Sequence, residues 1–158
     1  KRVVRALEFY ELSGKRISEH NEEQKAKGSP YNFAYFVLND HRNLLYDRIE
    51  KRIDEMLEEG LVEEVQGLKN RGFTKDMVSM KGLGYKEILD YLDGNLTLEE
   101  AVYILKRDTR HFAKRQLTWF RREKDVTMVE YEKFRFDQNK ILEFILNNLR
   151  EKGIINNE

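Results

Sequence analysis

Apolar residues in this chain recur mostly every three or four positions, the spacing of one buried helix face. Val3 or Val4, Leu7 and Tyr10 predict a helix over 1–13, stopped by Gly14. Residues 14–30 are polar and read as a loop or linker with room for a short helical piece. Leu45, Ile49, Ile53, Met56 and Leu57 predict a helix over 44–59 that Gly60 ends, and a second covers 62–70 before Gly72. A loop over 73–85 holds the turn Lys81-Gly-Leu-Gly-Tyr85, and a short helix over 86–92 closes at Asp93-Gly94. Thr97-Leu-Glu-Glu100 has capping-box spacing and predicts a long helix from Leu98 to about Arg122. Ile141, Phe144, Ile145 and Leu149 predict a last helix over 137–151, with a frayed tail from Gly153.

Two segments break this rhythm. Ala34-Tyr-Phe-Val-Leu-Asn39 is a short continuous apolar run, as in a buried strand, and Val126-Thr-Met-Val-Glu-Tyr131 is a second candidate. Two short strands among about six helices do not make a self-sufficient sheet. They read as the last, parallel strands of an α/β sheet, in a predominantly α-helical fragment. The chain opens at Lys1 straight into an uncapped helix, which fits a piece cut from something longer.

With 158 residues, 40% of them hydrophobic, the chain can form one domain or one and a fraction. It has no cysteine, which excludes disulfides and thiolate metal sites, and no apolar run of the ~18 residues a membrane span needs. No signal peptide is visible, and a cytoplasmic location is expected. Charge is balanced overall at 29 basic and 29 acidic residues, but not locally. Between Lys106 and Lys124 stand eight Lys/Arg and two acids, Asp108 and Glu123. At ~100° per residue, Arg107, Arg110, His111, Lys114, Arg115, Arg121 and Arg122 fall within about 140° of one helix face. Leu105, Phe112, Ala113, Trp119 and Phe120 take the opposite, greasy side. A surface helix ordinarily mixes both signs, so the one-sided face predicts an anionic partner, with a nucleic acid first.

Other chemistry is sparse. His20, His41 and His111 lack metal-ligand spacing, and there is neither a nucleophile elbow nor a Gly-x-x-x-x-Gly-Lys-Ser/Thr phosphate loop. Gly82-Leu-Gly84 serves either a tight turn or a close approach to a ligand. Arg48 and Arg52 either pair with the acids around them or reach a diphosphate. Tyr46, Tyr85 and Trp119 either pack in the core or stack on a base.

Arg5-Ala-Leu-Glu8, Arg48-Ile-Glu-Lys-Arg52, Gly84-Tyr-Lys-Glu87 and Thr109-Arg-His-Phe-Ala-Lys-Arg-Gln-Leu-Thr-Trp-Phe120 follow one another in this order. Together they resemble the C-terminal half of the tRNA dimethylallyltransferases, across nearly the whole chain. His111-Phe112 stands where that family commonly has Gln-Tyr or Gln-Leu.

The resemblance implies an α/β P-loop-NTPase-like fold of the ATP- and nucleotide-binding kind. It assigns 1–30 to the end of a helical insertion and its linker, and 31–158 to the C-terminal part of the α/β core with a helical tRNA-binding region. It implies transfer of a dimethylallyl group from dimethylallyl diphosphate to the N6 amine of the adenosine 3′ of a tRNA anticodon. The phosphate loop, the catalytic aspartate and most ligands of the expected Mg²⁺ belong to the family's N-terminal part, so this piece alone is expected to be inactive and to hold no metal. Arg52 matches an arginine with a catalytic or diphosphate-binding role.

Three segments match tRNA contacts. The first is Lys1, Arg2, Val3, Val4 and Arg5. The second is Thr74, Lys75, Asp76, Met77, Val78, Ser79, Met80 and Lys81. The third is Arg107, Asp108, Thr109, Arg110, His111, Phe112, Ala113, Lys114 and Arg115. The expected partner is a tRNA anticodon stem-loop, bound by a monomer without a membrane. A non-catalytic RNA- or DNA-binding helical module is the alternative, and so is an adenylate isopentenyltransferase, which needs no RNA-binding helix.

Overall fold

The computed structural model of the chain describes residues 1–156, apart from the Lys25 side chain. They form two units, Lys1–Phe33 and Ala34–Glu158.

In the first unit, α1 (Arg2–Ser13) ends at Gly14, whose left-handed backbone (φ 69°) turns its N–H back to Tyr10 O at 2.8 Å. The short helical piece allowed for in the next polar stretch takes up most of it. Ile17–Ala26 forms a ten-residue helix, α2. Its sequence has almost no apolar stripe, so periodicity does not reveal it. Local contacts hold it instead: Glu19 accepts the Arg16 N–H at 3.3 Å, Lys15 Nζ pairs with Glu23 at 2.9 Å, and the Phe9 and His20 rings lie 5.1 Å apart.

The second unit is built on a two-stranded parallel sheet, β1 (Tyr35–Asn39) and β2 (Val126–Glu130), paired from Tyr35↔Val126 to Asn39↔Glu130. Parallel neighbours need a long crossover. Here it contains α3 (Arg42–Glu58), α4 (Leu61–Asn70), a 3₁₀ turn (Val78–Lys81), α5 (Tyr85–Leu92) and α6 (Leu98–Phe120). A second 3₁₀ turn (Tyr131–Phe134) and α7 (Gln138–Glu151) follow β2. The described residues thus hold seven α-helices rather than about six, α2 being the addition.

Ile53, Leu61, Val65, Met80, Ile88, Leu89 and Leu105 form the core between α3, α4, α5 and α6, and Val37 and Val129 are buried in the strands. The capping box of α6 is present: Thr97 Oγ1 accepts the Glu100 N–H at 3.2 Å, and Glu100 Oε2 accepts the Thr97 N–H at 2.8 Å. These bonds satisfy two of the donors that a helix start leaves open, and hydrogen bonding to Thr97 holds the Glu100 carboxyl below its ordinary pKa. Helix α7 starts on Asp137, which accepts the Asn139 N–H at 3.0 Å. Its end is not frayed at Gly153, because the Ile154 N–H closes on Leu149 O at 2.9 Å; Asn157 and Glu158 lie outside the described residues.

Candidate nucleic-acid interface and adjoining cleft

Helix α6 has 23 residues and α5, packed beside it, has eight. At 1.5 Å per residue these are about 35 and 12 Å long. The C-terminal half of α6 therefore runs beyond α5, and the two halves have different surroundings.

In the first half the cations have acidic partners. Lys106 Nζ lies 2.6 Å from Asp54, Arg110 pairs with Glu50, and Arg107 lies 2.8 Å from Asp108. Asp108 also meets Lys86 of α5 at 3.4 Å. Arg107 first and Lys86 after it hold the Asp108 carboxyl below the usual aspartate range. In the second half and just past its end, Lys114, Arg115, Arg122 and Lys124 are exposed and have no carboxylate partner among the described residues. The local positive excess is thus real but narrower than the sequence alone suggests, centred on 114–124 rather than 106–124.

The greasy side of this helix is not all interior. Leu105 is buried, but Phe112 is 44% and Trp119 54% exposed. The Arg115 guanidinium sits 5.8 Å from the centre of the Phe112 ring, and Trp119 meets Phe120 edge-on at 5.2 Å. Of the three aromatics weighed for stacking, Trp119 is the open one. Tyr46 is half-buried, and Tyr85 donates its hydroxyl to Glu64, which raises the phenol pKa.

The segment 74–81 is fastened to α5. Lys75 Nζ lies 2.5 Å from Asp90 and 2.8 Å from Asp93, and Lys69 lies 2.8 Å from the other Asp93 oxygen. These bonds raise the Lys75 pKa, through Asp90 first and Asp93 next. They lower that of Asp93, through Lys69 first and Lys75 next. Met80 is a correction to the expected contact set: at 1% exposure it belongs to the core and anchors the loop from beneath. Thr74, Asp76, Met77, Val78, Ser79 and Lys81 are exposed. The loop and α6 are therefore fixed to the same short helix, through Lys75–Asp90 and Lys86–Asp108. Lys1, Arg2, Val3, Val4 and Arg5 belong to the first unit, where all five are exposed.

A cleft of about 320 Å³ opens between α3, α6 and the Gly82–Gly84 turn. Arg48, Ile49, Arg52, Ile53, Met56, Leu83, Gly84, Leu105 and Thr109 line it. Its wall is mostly apolar, with two guanidinium side chains one helical turn apart. Gly84 is buried with φ 99° and ψ −60°, a conformation that a side chain opposes, and its N–H donates to Glu87 Oε2 at 2.9 Å. Arg52 contacts Glu55 at 3.5 Å and Glu59 at 3.4 Å on its own helix. Sequence spacing gave no sign of two neighbours that matter here, Asp40 and Tyr131, because they reach α3 from the ends of the strands. No group of three or more His, Asp or Glu among the described residues is placed to hold a metal ion. The residues here do not fit a magnesium site.

The sequence profile of the IPP transferase family matches residues 1–123. The chain belongs to the IPP transferase family. It is 54% identical over 155 residues to a tRNA dimethylallyltransferase of Lachnoclostridium phytofermentans, covering 98% of this chain and 49% of that protein. It thus spans about half the length of the curated relatives it matches. Among solved structures of the family, the tRNA isopentenylpyrophosphate transferase of Bacillus halodurans superposes with a TM-score of 0.71 at 44% identity, over 96% of this chain and 46% of that one. The enzyme from Staphylococcus epidermidis gives 0.74 at 37%, over 95% and 48%. The fold is therefore that of the IPP transferases, a P-loop-NTPase-like α/β fold represented here by two parallel strands and the helices around them.

Proposed function

We propose that this chain is the RNA-handling half of a tRNA dimethylallyltransferase, working in the cytoplasm as a monomer. The observation that carries this reading is the cluster of exposed cations without carboxylate partners at Lys114, Arg115, Arg122 and Lys124, along and just past the C-terminal end of α6. A polyanion is the partner that such a cluster favours, and phosphate contacts by Lys and Arg set the register of an RNA. The exposed loop residues around Met77 and Val78 are proposed to contact RNA as well; in the first unit, Lys1, Arg2 and Arg5 are proposed to do so on their own account.

In the reaction, the C–O bond between the dimethylallyl carbon and diphosphate breaks. An N–C bond forms at the adenosine N6, the amine proton passes to a base, and diphosphate leaves. The base and phosphate loop implied by the family are not among these 158 residues. What this chain offers is the cleft, whose apolar wall suits a five-carbon chain and whose Arg52 suits the charge that develops on diphosphate. Arg52 pairs only with exposed or half-exposed glutamates of its own helix and can leave them for a stronger anion.

The test incubates the protein, extended to its relatives' full length, with dimethylallyl diphosphate and an anticodon stem-loop RNA. The expected product is RNA carrying one prenyl group on the adenosine next to the anticodon. Prenylation of free adenosine nucleotides with the RNA untouched would replace this reading by the nucleotide-modifying alternative.

A further inference from the structure

Arg48 joins a buried carboxylate to an aromatic ring. Its Nη1 lies 3.0 Å from Asp40 Oδ2, and its guanidinium lies 5.4 Å from the centre of the Tyr131 ring. Asp40 directly follows β1 and Tyr131 directly follows β2. Arg48 is thus gripped at the carboxyl ends of two parallel strands, the edge where α/β sheets bind ligands. The grip is firm on the protein's side. The Asp40 side chain is 2% exposed, one of its oxygens accepts the His41 N–H at 2.9 Å, and the other has no aligned hydrogen-bond donor. That buried oxygen depends on the charge of Arg48. The Arg48 side chain itself is 54% exposed and lines the cleft with Arg52.

We infer that Arg48 is a second anion-binding residue of the cleft, the fixed partner to a movable Arg52. The inference rests on the prenyl-transfer reading for the identity of its anion, the diphosphate group. A guanidinium has five N–H donors in one plane. The contact with Asp40 takes one end, and the ring of Tyr131 supports the plane. The other edge stays open toward the cleft, oriented before any ligand arrives. Such preorganisation avoids the cost of ordering a long side chain during binding. Asp40 and Tyr131 are positioning residues in this arrangement.

The test uses the protein extended to its relatives' full length and titrates inorganic diphosphate by calorimetry, beside steady-state kinetics with dimethylallyl diphosphate. Arg48→Ala is expected to weaken diphosphate binding and raise KM by ten-fold or more (about 1.4 kcal/mol per ten-fold). Arg48→Lys keeps the charge opposite Asp40 but not the fork, and should fall between wild type and Arg48→Ala. It also covers the case in which Arg48→Ala does not fold. Asp40→Asn, which frees the guanidinium, should raise KM more than it lowers kcat. Equal diphosphate affinity in wild type and both Arg48 variants would overturn the inference, and so would a wild type that does not bind diphosphate. Diphosphate binding that depends on Arg48 without any prenyl transfer would instead sink the proposed reaction and leave the anion site standing.

Discussion

Arg110 of α6 is paired with Glu50 of α3, sixty residues earlier in the chain. By sequence it is one of seven equivalent groups on a cationic face; in the fold it is a brace between two helices. Arg110→Ala is therefore expected to lower stability by about 0.5–1 kcal/mol, the range for a partly exposed pair. Glu50→Ala should cost a similar amount, and the double variant less than the sum. Chemical denaturation of the four proteins measures this, and strict additivity would show that the pair is not coupled.

The start of α6 offers a cleaner stability test. Thr97→Ala removes the oxygen that accepts the Glu100 N–H and is expected to cost about 1 kcal/mol. Thr97→Ser should recover most of it. The Tm of the three proteins reads the effect, and no difference between Ala and Ser would argue that the cap contributes nothing.

Strong acid should loosen the 74–81 loop. The Asp93 pKa is lowered by Lys69 and Lys75, so its contribution is present above the unfolded aspartate value of about 3.9 and is lost as pH falls through the folded value. Asp93→Asn is expected to remove that part of the acid dependence while leaving the neutral-pH fold intact. Amide exchange across 74–81 at descending pH checks it; a variant with the wild-type profile would contradict the assignment.

Gly84 holds the wall of the cleft with φ 99°, and no atom stands within 4 Å of where a Cβ would sit. Space is not what forbids a side chain; backbone conformation is. Gly84→Ala should destabilise by about 1 kcal/mol or more and, by shifting the turn, should weaken diphosphate binding. Calorimetry of the variant tests both, and wild-type values in each would contradict this role for the glycine.

The sequence made several of these features readable. The capping box at Thr97, the stop at Gly14 and both strands stand within two residues of where pattern placed them, because each depends on local chemistry. Helix α2, expected only as a short helical piece somewhere in 14–30, could not be given bounds because its support comes from Phe9, Lys15 and Glu23 rather than from an apolar stripe. That the apolar side of α6 leaves Phe112 and Trp119 half exposed was not readable, because a helical wheel shows which residues share a side, not what packs against it. Pairs such as Lys86–Asp108 and Arg48–Asp40 are made by tertiary folding and leave no mark in spacing. The same is true of the neutralised first half of the cationic face.

The central claim is that the unpaired cations at the end of α6 bind RNA. The most direct measurement titrates an anticodon stem-loop RNA into this chain and into a Lys114→Glu, Arg115→Glu, Arg122→Glu variant at two salt concentrations. The account predicts saturable wild-type binding that weakens steeply with salt, and a loss of at least ~ten-fold in the variant together with a shallower salt dependence. Equal affinity and equal salt dependence in the two proteins would contradict it.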